Sequence, residues 1–265
     1  MRQKTAQNKT SQNKARTVDE QMYAREGRKK KFLLNRGNLR GTIIYALILL
    51  SLLFPADEDY VRLTASLCLL LIGIGLHFIV TGQLIRDKVL CTEGAYALVR
   101  HPFYLANFII DLSLCLLVGN VYLIILYPFL FFWAYGPSIR VEDRRLLEIY
   151  GPKFVAYEQT IPETFPSPLS IGGLRKIFLG FSFARVKPNE SIRILRLLSV
   201  ALILILIQDI RTEGISELLF PWYGSGPVDY DGVCLLAGII LLSASLVSIR
   251  ILRRVRVIMA GRRTG

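Results

Sequence analysis

The chain has 265 residues and a formal net charge of +13, and 52% of its residues are hydrophobic, with the charges gathered in short patches between long uncharged runs. The helices of a soluble domain would carry polar faces every few residues, so this pattern indicates a polytopic helical membrane protein. The basic residues follow the ends of apolar runs rather than aromatic-interleaved patches, which argues against nucleic acid as a partner. Four scattered cysteines without a C-x-x-C pair indicate neither a disulfide framework nor a metal site.

The first 84 residues predict a tail and two membrane spans. Residues 1–38 are rich in Lys, Arg, Gln and Asn, and we expect a disordered basic tail on the cytoplasmic face. The two spans predicted within residues 39–84 are 41–54, which is short for a bilayer of about 30 Å, and 63–80. The second span contains His77, which is either a packed, hydrogen-bonded core residue or a functional group.

Residues 85–168 are predicted to form the functional core. A charged connection leads to an aromatic-rich motif, then to a third span, 103–119, and through a tight Gly119-Asn120 turn to a fourth span, 121–135. Asp111 lies near the middle of the third span. An acid at that depth should face the protein interior or a wet cavity, either at a substrate site or in a helix-to-helix hydrogen bond.

A charged helix is predicted after the fourth span. Gly136-Pro137 should break the fourth helix, and Ser138 can cap a new one that ends at Gly151-Pro152. This helix carries Arg140 and the acidic pair Glu142-Asp143, and it is too charged to lie in lipid. Residues 154–166 should return along the membrane surface, and residues 169–193 should form an interfacial linker.

The end of the chain completes an all-α bundle of about six transmembrane spans. Two further spans, 194–207 and 232–249, are predicted within residues 194–250, and a basic cytoplasmic tail follows at 251–265. Basic and acidic connections alternate, so the positive-inside rule places both termini in the cytoplasm. The motif before the third span and the charged helix after the fourth then share the cytoplasmic face. The last two spans are open to three uses: a lipid entrance, a homo-oligomer face, or padding of the bundle.

The motif and the charged helix together offer hydrogen-bond donors, aromatic faces and carboxylates beside lipid. Such a site suits a sulfonium cofactor, because aromatic rings attract its positive charge and carboxylates accept from its amino and hydroxyl groups. The alternative is a membrane-boundary motif beside a solvated surface helix. The side chains concerned are Tyr96, Arg100, His101, Tyr104, Glu142 and Asp143.

These residues resemble the isoprenylcysteine carboxyl methyltransferase and phospholipid methyltransferase group of integral-membrane enzymes, which use S-adenosylmethionine. The first half of their signature, Gly-x-Tyr-x-x-x-Arg-His-Pro-x-Tyr, matches residues 94–104. The second half is an acidic pair followed by Leu, an aromatic-Gly step and a Pro-containing exit, and it matches residues 142–162. The resemblance covers about residues 88–166.

The resemblance implies a methyltransferase that methylates a carboxylate, phosphate or amine of a membrane lipid or lipidated acceptor at the cytoplasmic face. The candidate catalytic residues are Arg100, His101, Glu142 and Asp143, the candidate substrate residues are Arg140 and Asp111, and no metal is expected. The implied S-adenosylmethionine site is lined by Lys88, Val89, Leu90, Cys91, Tyr96, His101, Pro102, Phe103, Tyr104 and Glu142.

Two positions depart from the family pattern. Asp143 stands where Glu is usual, and Ser138 stands where the prenylcysteine enzymes look to carry an Arg that holds the substrate carboxylate. The second departure puts prenylcysteine as substrate in doubt. Two alternatives remain open: an NADPH-dependent sterol or steroid reductase, which shares the Arg-His-Pro-x-Tyr segment but tends to follow it with a Gly-containing step, and a non-catalytic membrane protein of the same fold.

Overall fold

The structure is a computed structural model that describes residues 42, 46, 47, 49, 50, 53, 54, 59–85, 89–168, 170–186, 189–212 and 231–261, the side chains of 231, 232, 250 and 252–261 excepted. The predicted N-terminal tail, most of the first span, Lys88 and the end of the C-terminal tail lie outside the described residues. The chain divides into two units, Met1–Ala46 and Leu47–Gly265, and all the helices that carry the site belong to the second.

The regular elements of the described residues are all helical, which confirms the all-α prediction. Two of the helices below, α1 and α3, are long and apolar enough to cross a membrane, while α2 and residues 233–249 of α6 are shorter apolar helices. The helices are α1 Tyr60–Gln83, α2 Pro102–Val118, α3 Val121–Tyr150, α4 Pro152–Thr160, α5 Asn189–Thr212 and α6 Asp231–Gly261, with short 3₁₀ turns at Gly94–Ala97, Ile171–Lys176 and Phe183–Arg185.

Helix α1 extends beyond the predicted 63–80 at both ends. Asp59 caps its start, because its Oδ1 accepts from the backbone N–H groups of Val61 at 2.9 Å and Arg62 at 3.2 Å. α1 packs most extensively against α2. A Cβ atom on Gly73 would lie 2.7 Å from Cγ1 of Ile110, so the absence of a side chain at Gly73 is what permits this close approach.

The predicted break at Gly136-Pro137 is wrong, because α3 runs as one helix of 30 residues with Pro128 and Pro137 inside it. A proline removes one intrahelical hydrogen bond, but long apolar helices packed against neighbours accommodate that loss. Ser138, the predicted cap, is a buried residue inside α3. The charged part of α3, residues 140–150, therefore continues rigidly from its apolar part, residues 121–139.

The end of α3 is where the sequence predicts it. The backbone N–H of Gly151 donates to the carbonyl of Leu147 at 2.9 Å, and α4 begins immediately at Pro152, a position where the missing N–H costs nothing. The expected surface return after α3 thus contains a two-turn helix, which carries Phe154 and Tyr157 on its buried side.

The segment between α1 and α2 is part of the core rather than a surface loop. Ala95, Leu98 and Val99 are buried together with residues of α1 and α2. The side-chain amide of Gln83 fixes this segment: its Oε1 accepts from the N–H of Ala95 at 3.0 Å, and its Nε2 donates to the carbonyl of Leu179 at 2.9 Å. The end of α1, the 94–104 motif and the 171–186 segment are therefore joined at one residue.

Candidate active site at the start of α2

The backbone of Arg100 and His101 is held by the segment that follows α4. The N–H of Arg100 donates to the carbonyl of Pro162 at 2.8 Å, and the N–H of His101 donates to that of Glu163 at 2.9 Å. Pro102 then begins α2. These two hydrogen bonds fix the backbone of Arg100 and His101 and therefore the direction of their side chains.

Arg100 forms two ion pairs that link three elements. Its Nη1 lies 3.1 Å from Oδ2 of Asp143 on α3 and 2.8 Å from Oε1 of Glu158 on α4. The guanidinium also lies over the ring of Phe154, 5.9 Å from its centroid. Only 9% of the Arg100 side chain is exposed, so these contacts replace most of its hydration.

Asp143 also binds His101, whose Nε2 lies 2.7 Å from its Oδ1. An ionised carboxylate only accepts, so Nε2 carries the proton in this hydrogen bond. Burial alone would raise the pKa of Asp143, but the hydrogen bond and charge of His101, together with those of Arg100, outweigh burial and hold this pKa below its ordinary value. Asp143 is therefore a stable anion that orients both neighbours. We call Arg100, His101, Asp143 and Glu158 the Arg100 cluster.

Tyr157 connects α4 to the 3₁₀ turn of the motif. Its hydroxyl donates to the carbonyl of Tyr96 at 2.6 Å. Burial raises the pKa of the Tyr157 hydroxyl, so it stays a neutral donor at physiological pH. Tyr96 itself is buried, and its backbone is thereby tied to the same helix that carries Glu158.

Three aromatic rings lie in a row beside His101. The ring of Tyr104 meets the rings of His101 and Tyr135 edge to face, each at a centroid distance of 5.8 Å. The Tyr135 ring lies a further 4.8 Å from that of Phe131 on α3. The side of the Arg100 cluster toward the apolar part of α3 is therefore lined by rings rather than by charged groups.

The structure brings together the central residues of the predicted site. The motif and the charged part of α3 are in contact through Arg100, His101 and Asp143, and Pro102, Phe103 and Tyr104 form the first turn of α2. Of the other described members, Tyr96 is buried, Leu90 and Cys91 are partly buried, and Val89, Arg140 and Glu142 are exposed. Their roles in catalysis and binding stay predictions.

Asp111 lies away from the Arg100 cluster. It is 1% exposed and accepts from the hydroxyl of Tyr127 on α3 at 3.3 Å, which is the helix-to-helix hydrogen bond named as one alternative. Ten residues of α2 separate it from His101, or roughly 15 Å along the helix axis. A part for Asp111 in substrate binding stays a prediction.

Sequence reasoning missed Glu158 and Tyr135. Glu158 follows Phe154 by four residues, so it would have been placed beside Phe154 if α4 had been predicted as a helix. Tyr135 was taken as the last residue of a span, at a point where a helix break was expected. Within an unbroken α3, it lies about two turns before Asp143, and its ring contacts Tyr104, which contacts His101.

A second polar cluster joins α1, α2 and α5. Nδ1 of His77 lies 3.2 Å from Oε2 of Glu190, and its Nε2 accepts from Arg193. Nη2 of Arg193 donates to Oδ1 of Asn107 at 2.6 Å. The ring of His77 also meets the ring of Phe103 edge to face at 5.1 Å. His77 is thus a packed, hydrogen-bonded residue that contacts the first turn of α2.

The region from α1 to the charged part of α3 is shared with a known class of proteins. Residues 59–148 match the model of the isoprenylcysteine carboxyl methyltransferase (ICMT) family. This third of the chain, which contains Arg100, His101 and Asp143, is therefore ICMT-like. Glu158, Tyr157 and the whole of α5 and α6 lie beyond the matched residues.

Three relatives share parts of the chain. The protein-S-isoprenylcysteine O-methyltransferase of Schizosaccharomyces pombe is 30% identical over 94 residues, which are 36% of this chain and 40% of the relative. The cobalt-zinc-cadmium resistance protein CzcN of Cupriavidus metallidurans is 28% identical over 132 residues, 47% of this chain and 61% of the relative. The protein-S-isoprenylcysteine O-methyltransferase of Saccharomyces cerevisiae is 29% identical over 80 residues, 30% of this chain and 34% of the relative.

The chain thus spans about a third to three fifths of the length of these relatives. No solved structure matches it at a comparable significance. Among the described residues, no group of three or more His, Cys, Asp or Glu side chains could hold a metal ion.

Proposed function

We propose that the protein is an integral-membrane methyltransferase that uses S-adenosylmethionine and methylates a lipid or lipidated acceptor at the cytoplasmic face. The observation that carries this proposal is the Arg100 cluster, which stands at the junction between apolar helices and the charged part of α3, and of which all members but Glu158 belong to the ICMT-like residues 59–148. A water-soluble cofactor and a lipid acceptor can both reach such a junction.

The groups present fit this cofactor. Its ammonium and sulfonium groups are cationic, which suits the carboxylates of Asp143 and Glu158 and the rings of Tyr96 and Tyr104. Its carboxylate needs donors, and Nε of Arg100 is a buried donor that has no hydrogen-bond partner among the described residues. When bound, the cofactor supplies an electrophilic methyl group.

The chain's own part is to position the reactants and to exclude water. Methyl transfer is an in-line displacement, and it is accelerated when nucleophile and methyl carbon are held in line in a dry site. An anionic oxygen attacks without a base, whereas an amine must lose a proton, for which Glu142, Asp143 and His101 are the candidates. The lowered pKa of Asp143 makes it a poor proton acceptor, which leaves Glu142 and His101 as the candidates.

The proposed membrane arrangement is the six-span one. The cytoplasmic tail at 1–38, the two spans in 39–84, the core at 85–168, the interfacial linker at 169–193, the two spans in 194–250 and the tail at 251–265 then place both termini in the cytoplasm. Exposed apolar side chains on α3, such as Tyr122, Phe129 and Trp133, suit contact with lipid tails. The acceptor lipid would enter sideways between helices.

Calorimetry with the full chain purified in detergent tests the proposal. Wild type should bind S-adenosylmethionine in the micromolar range, and Arg100→Gln should lose that binding, since it removes the cation that organises the cluster. Arg144→Gln makes the same change at an exposed position of α3 and should leave the affinity unchanged.

The same calorimetric titration with NADPH gives the result that would contradict the proposal. If folded wild type binds NADPH and not S-adenosylmethionine, the methyltransferase proposal is wrong and the reductase alternative takes its place. If neither cofactor binds, the non-catalytic alternative holds.

A further inference from the structure

In the described part of the chain, two buried polar side-chain atoms have no hydrogen-bond partner, namely Nε of Arg100 and Oγ1 of Thr164. A buried polar atom that stays unpaired costs free energy, so proteins almost always supply a partner for it. Both atoms belong to the two segments that are paired at the Arg100 cluster, since the N–H of Arg100 donates to the carbonyl of Pro162. Their occurrence on one pair of segments indicates a bound molecule that supplies the missing partners.

The neighbours of Thr164 in the chain hold it beside the start of α2. The carbonyl of Glu163, the residue before it, accepts from the N–H of His101 at 2.9 Å. The ring of Phe165, the residue after it, meets the ring of Phe108 on α2 edge to face at a centroid distance of 4.9 Å. Thr164, which is 3% exposed, is therefore held against the first two turns of α2, the part of the helix that begins at the predicted cofactor residues.

The surroundings of Thr164 explain why the chain itself leaves the hydroxyl unpaired. The ring of Phe165 also meets that of Phe132 on α3, at a centroid distance of 5.7 Å. The segment that carries Thr164 thus runs from the Arg100 cluster to the aromatic part of α3, where side chains offer few hydrogen-bond acceptors. A polar group of a ligand is then the natural partner of the hydroxyl.

The two unpaired atoms also define the chemistry of that ligand. Nε of Arg100 can only donate, and a threonine hydroxyl can donate as well. The ligand group should therefore present acceptor oxygens, and a negative charge strengthens the hydrogen bonds from both donors. In the proposed cofactor, the group of this kind is the carboxylate.

We propose that Thr164 is a cofactor-binding residue whose hydroxyl donates, together with Nε of Arg100, to the carboxylate of S-adenosylmethionine; the proposal rests on the proposed function. Thr164 lies beyond residues 59–148, so this contact belongs to a part of the chain that the family match does not cover. Cofactor binding would then tie the segment after α4 to the start of α2 through a side chain as well as through the backbone.

A hydroxyl that is kept for a ligand differs from a structural hydroxyl in the sign of its effect on stability. Valine has nearly the shape of threonine, so Thr164→Val removes the unpaired polar atom with little change in volume. The cofactor-free protein should become more stable, because the cost of burying that atom is gone, while the cofactor should bind more weakly. A hydroxyl with a structural partner, such as a fixed water molecule, should give the opposite change in stability.

Calorimetry with the full chain in detergent tests the proposal with two probes, S-adenosylmethionine and its decarboxylated analogue, which keeps the sulfonium and the amine. Thr164→Val should lower the affinity for S-adenosylmethionine by about tenfold, the loss for one hydrogen bond to a charged group. The same variant should leave the affinity for the analogue unchanged. Thr164→Ser keeps the hydroxyl and should retain most of the wild-type affinity for S-adenosylmethionine.

Thermal unfolding of the same proteins without cofactor gives a second readout. Thr164→Val should unfold at a higher temperature than wild type, by roughly 2 °C or more. Thr81→Val is the matched control, because the buried hydroxyl of Thr81 donates to the carbonyl of His77 at 2.9 Å and its removal should bring no such gain. Thr160→Val, at the exposed end of α4, should change neither stability nor affinity.

Three results would overturn the role of Thr164 alone. They are equal binding of S-adenosylmethionine by wild type and Thr164→Val, an equal loss of affinity for both probes in that variant, and a lower unfolding temperature of that variant. If folded wild type binds no S-adenosylmethionine, the proposed function fails and this proposal fails with it. The two kinds of failure are distinguished by the wild-type titration.

Discussion

The Arg100 cluster and the polar cluster around Arg193, which also contains His77, Asn107 and Glu190, each place a partly buried arginine among polar partners, but they differ in the charge of those partners. Arg100 faces two carboxylates, Asp143 and Glu158, whereas Arg193 donates to the imidazole of His77 and the amide oxygen of Asn107, and the carboxylate of Glu190 lies on the far side of the imidazole. The carboxylates of the first arrangement suit the cationic groups of the proposed cofactor, whereas the second arrangement joins α1, α2 and α5. The difference teaches that one arginine can organise a candidate site while another, at the same end of the bundle, serves helix packing.

The largest expected effect is at the carboxylate shared by Arg100 and His101. Asp143→Ala leaves the buried guanidinium without its partner on α3, and we expect a loss of about 3–5 kcal/mol in the free energy of unfolding, the range for breaking a buried pair. Glu142→Ala, at the exposed neighbouring position, should change it by less than about 0.5 kcal/mol. Unfolding in mild detergent, followed by intrinsic fluorescence, gives both values. Equal losses would show that Asp143 does not hold the cluster together.

A somewhat smaller effect is expected where the 94–104 motif meets α1. Gly94 has a φ of 64°, and a Cβ atom there would lie 2.2 Å from Nε2 of Gln83, so Gly94→Ala combines backbone strain with a clash. We expect Gly94→Ala to lower the free energy of unfolding by about 3 kcal/mol. Gly151 has a φ of 51° but open space around it, so Gly151→Ala introduces backbone strain without a clash. This variant should lower the free energy of unfolding by only about 1 kcal/mol. Thermal unfolding of both variants measures the difference, and similar values would mean that Gln83 gives way without cost.

Tyr157→Phe probes the link between α4 and the motif. It removes the hydroxyl that donates to the carbonyl of Tyr96, and we expect a loss of about 1–2 kcal/mol in the free energy of unfolding, together with weaker binding of S-adenosylmethionine. Tyr122→Phe, at a side chain that is 79% exposed, should change neither quantity. Chemical unfolding and calorimetry measure them. If the affinity for S-adenosylmethionine is unchanged in Tyr157→Phe, the hydrogen bond from α4 does not contribute to the binding site.

The smallest effect is a dependence on pH. The pKa of Asp143 is lower in the folded protein than in the unfolded chain, so its contribution to stability is present above its unfolded value of about 3.9 and is lost as the pH falls through the lower folded value. Asp143→Asn should therefore lose less stability than wild type between about pH 5 and pH 2. Unfolding midpoints over that range measure the slopes, and parallel slopes would contradict the assignment.

Much of the Arg100 cluster could be predicted because its residues lie in two short patterns joined by a hairpin. The contact between residues 94–104 and the charged part of α3 follows from the positive-inside rule and the turn at Gly119-Asn120. Glu158 and Tyr135 were missed because rules on Pro and Gly are local. The rules on Pro and Gly predict a break at Pro137, whereas packing along a long apolar helix keeps α3 continuous.

The polar cluster that joins α1, α2 and α5 could not be predicted in the same way. His77 was recognised as a residue that needs partners, but Asn107, Glu190 and Arg193 come from helices that are distant in sequence, and no spacing rule connects them. Only the packing of α5 beside α1 and α2 brings these side chains together. Periodicity locates helices well, but it does not say which faces meet.

The most direct test of the central claim is transfer of a labelled methyl group. The full chain in nanodiscs is incubated with methyl-tritiated S-adenosylmethionine and a long-chain carboxylic acid, and the lipid fraction is then treated with base to release methyl esters as volatile methanol. We predict base-labile counts with wild type and with Arg144→Gln, and none with Asp143→Ala. Absence of label with folded wild type that binds NADPH instead, or undiminished label with Asp143→Ala, would contradict the assignment of the Arg100 cluster as a methyl-transfer site.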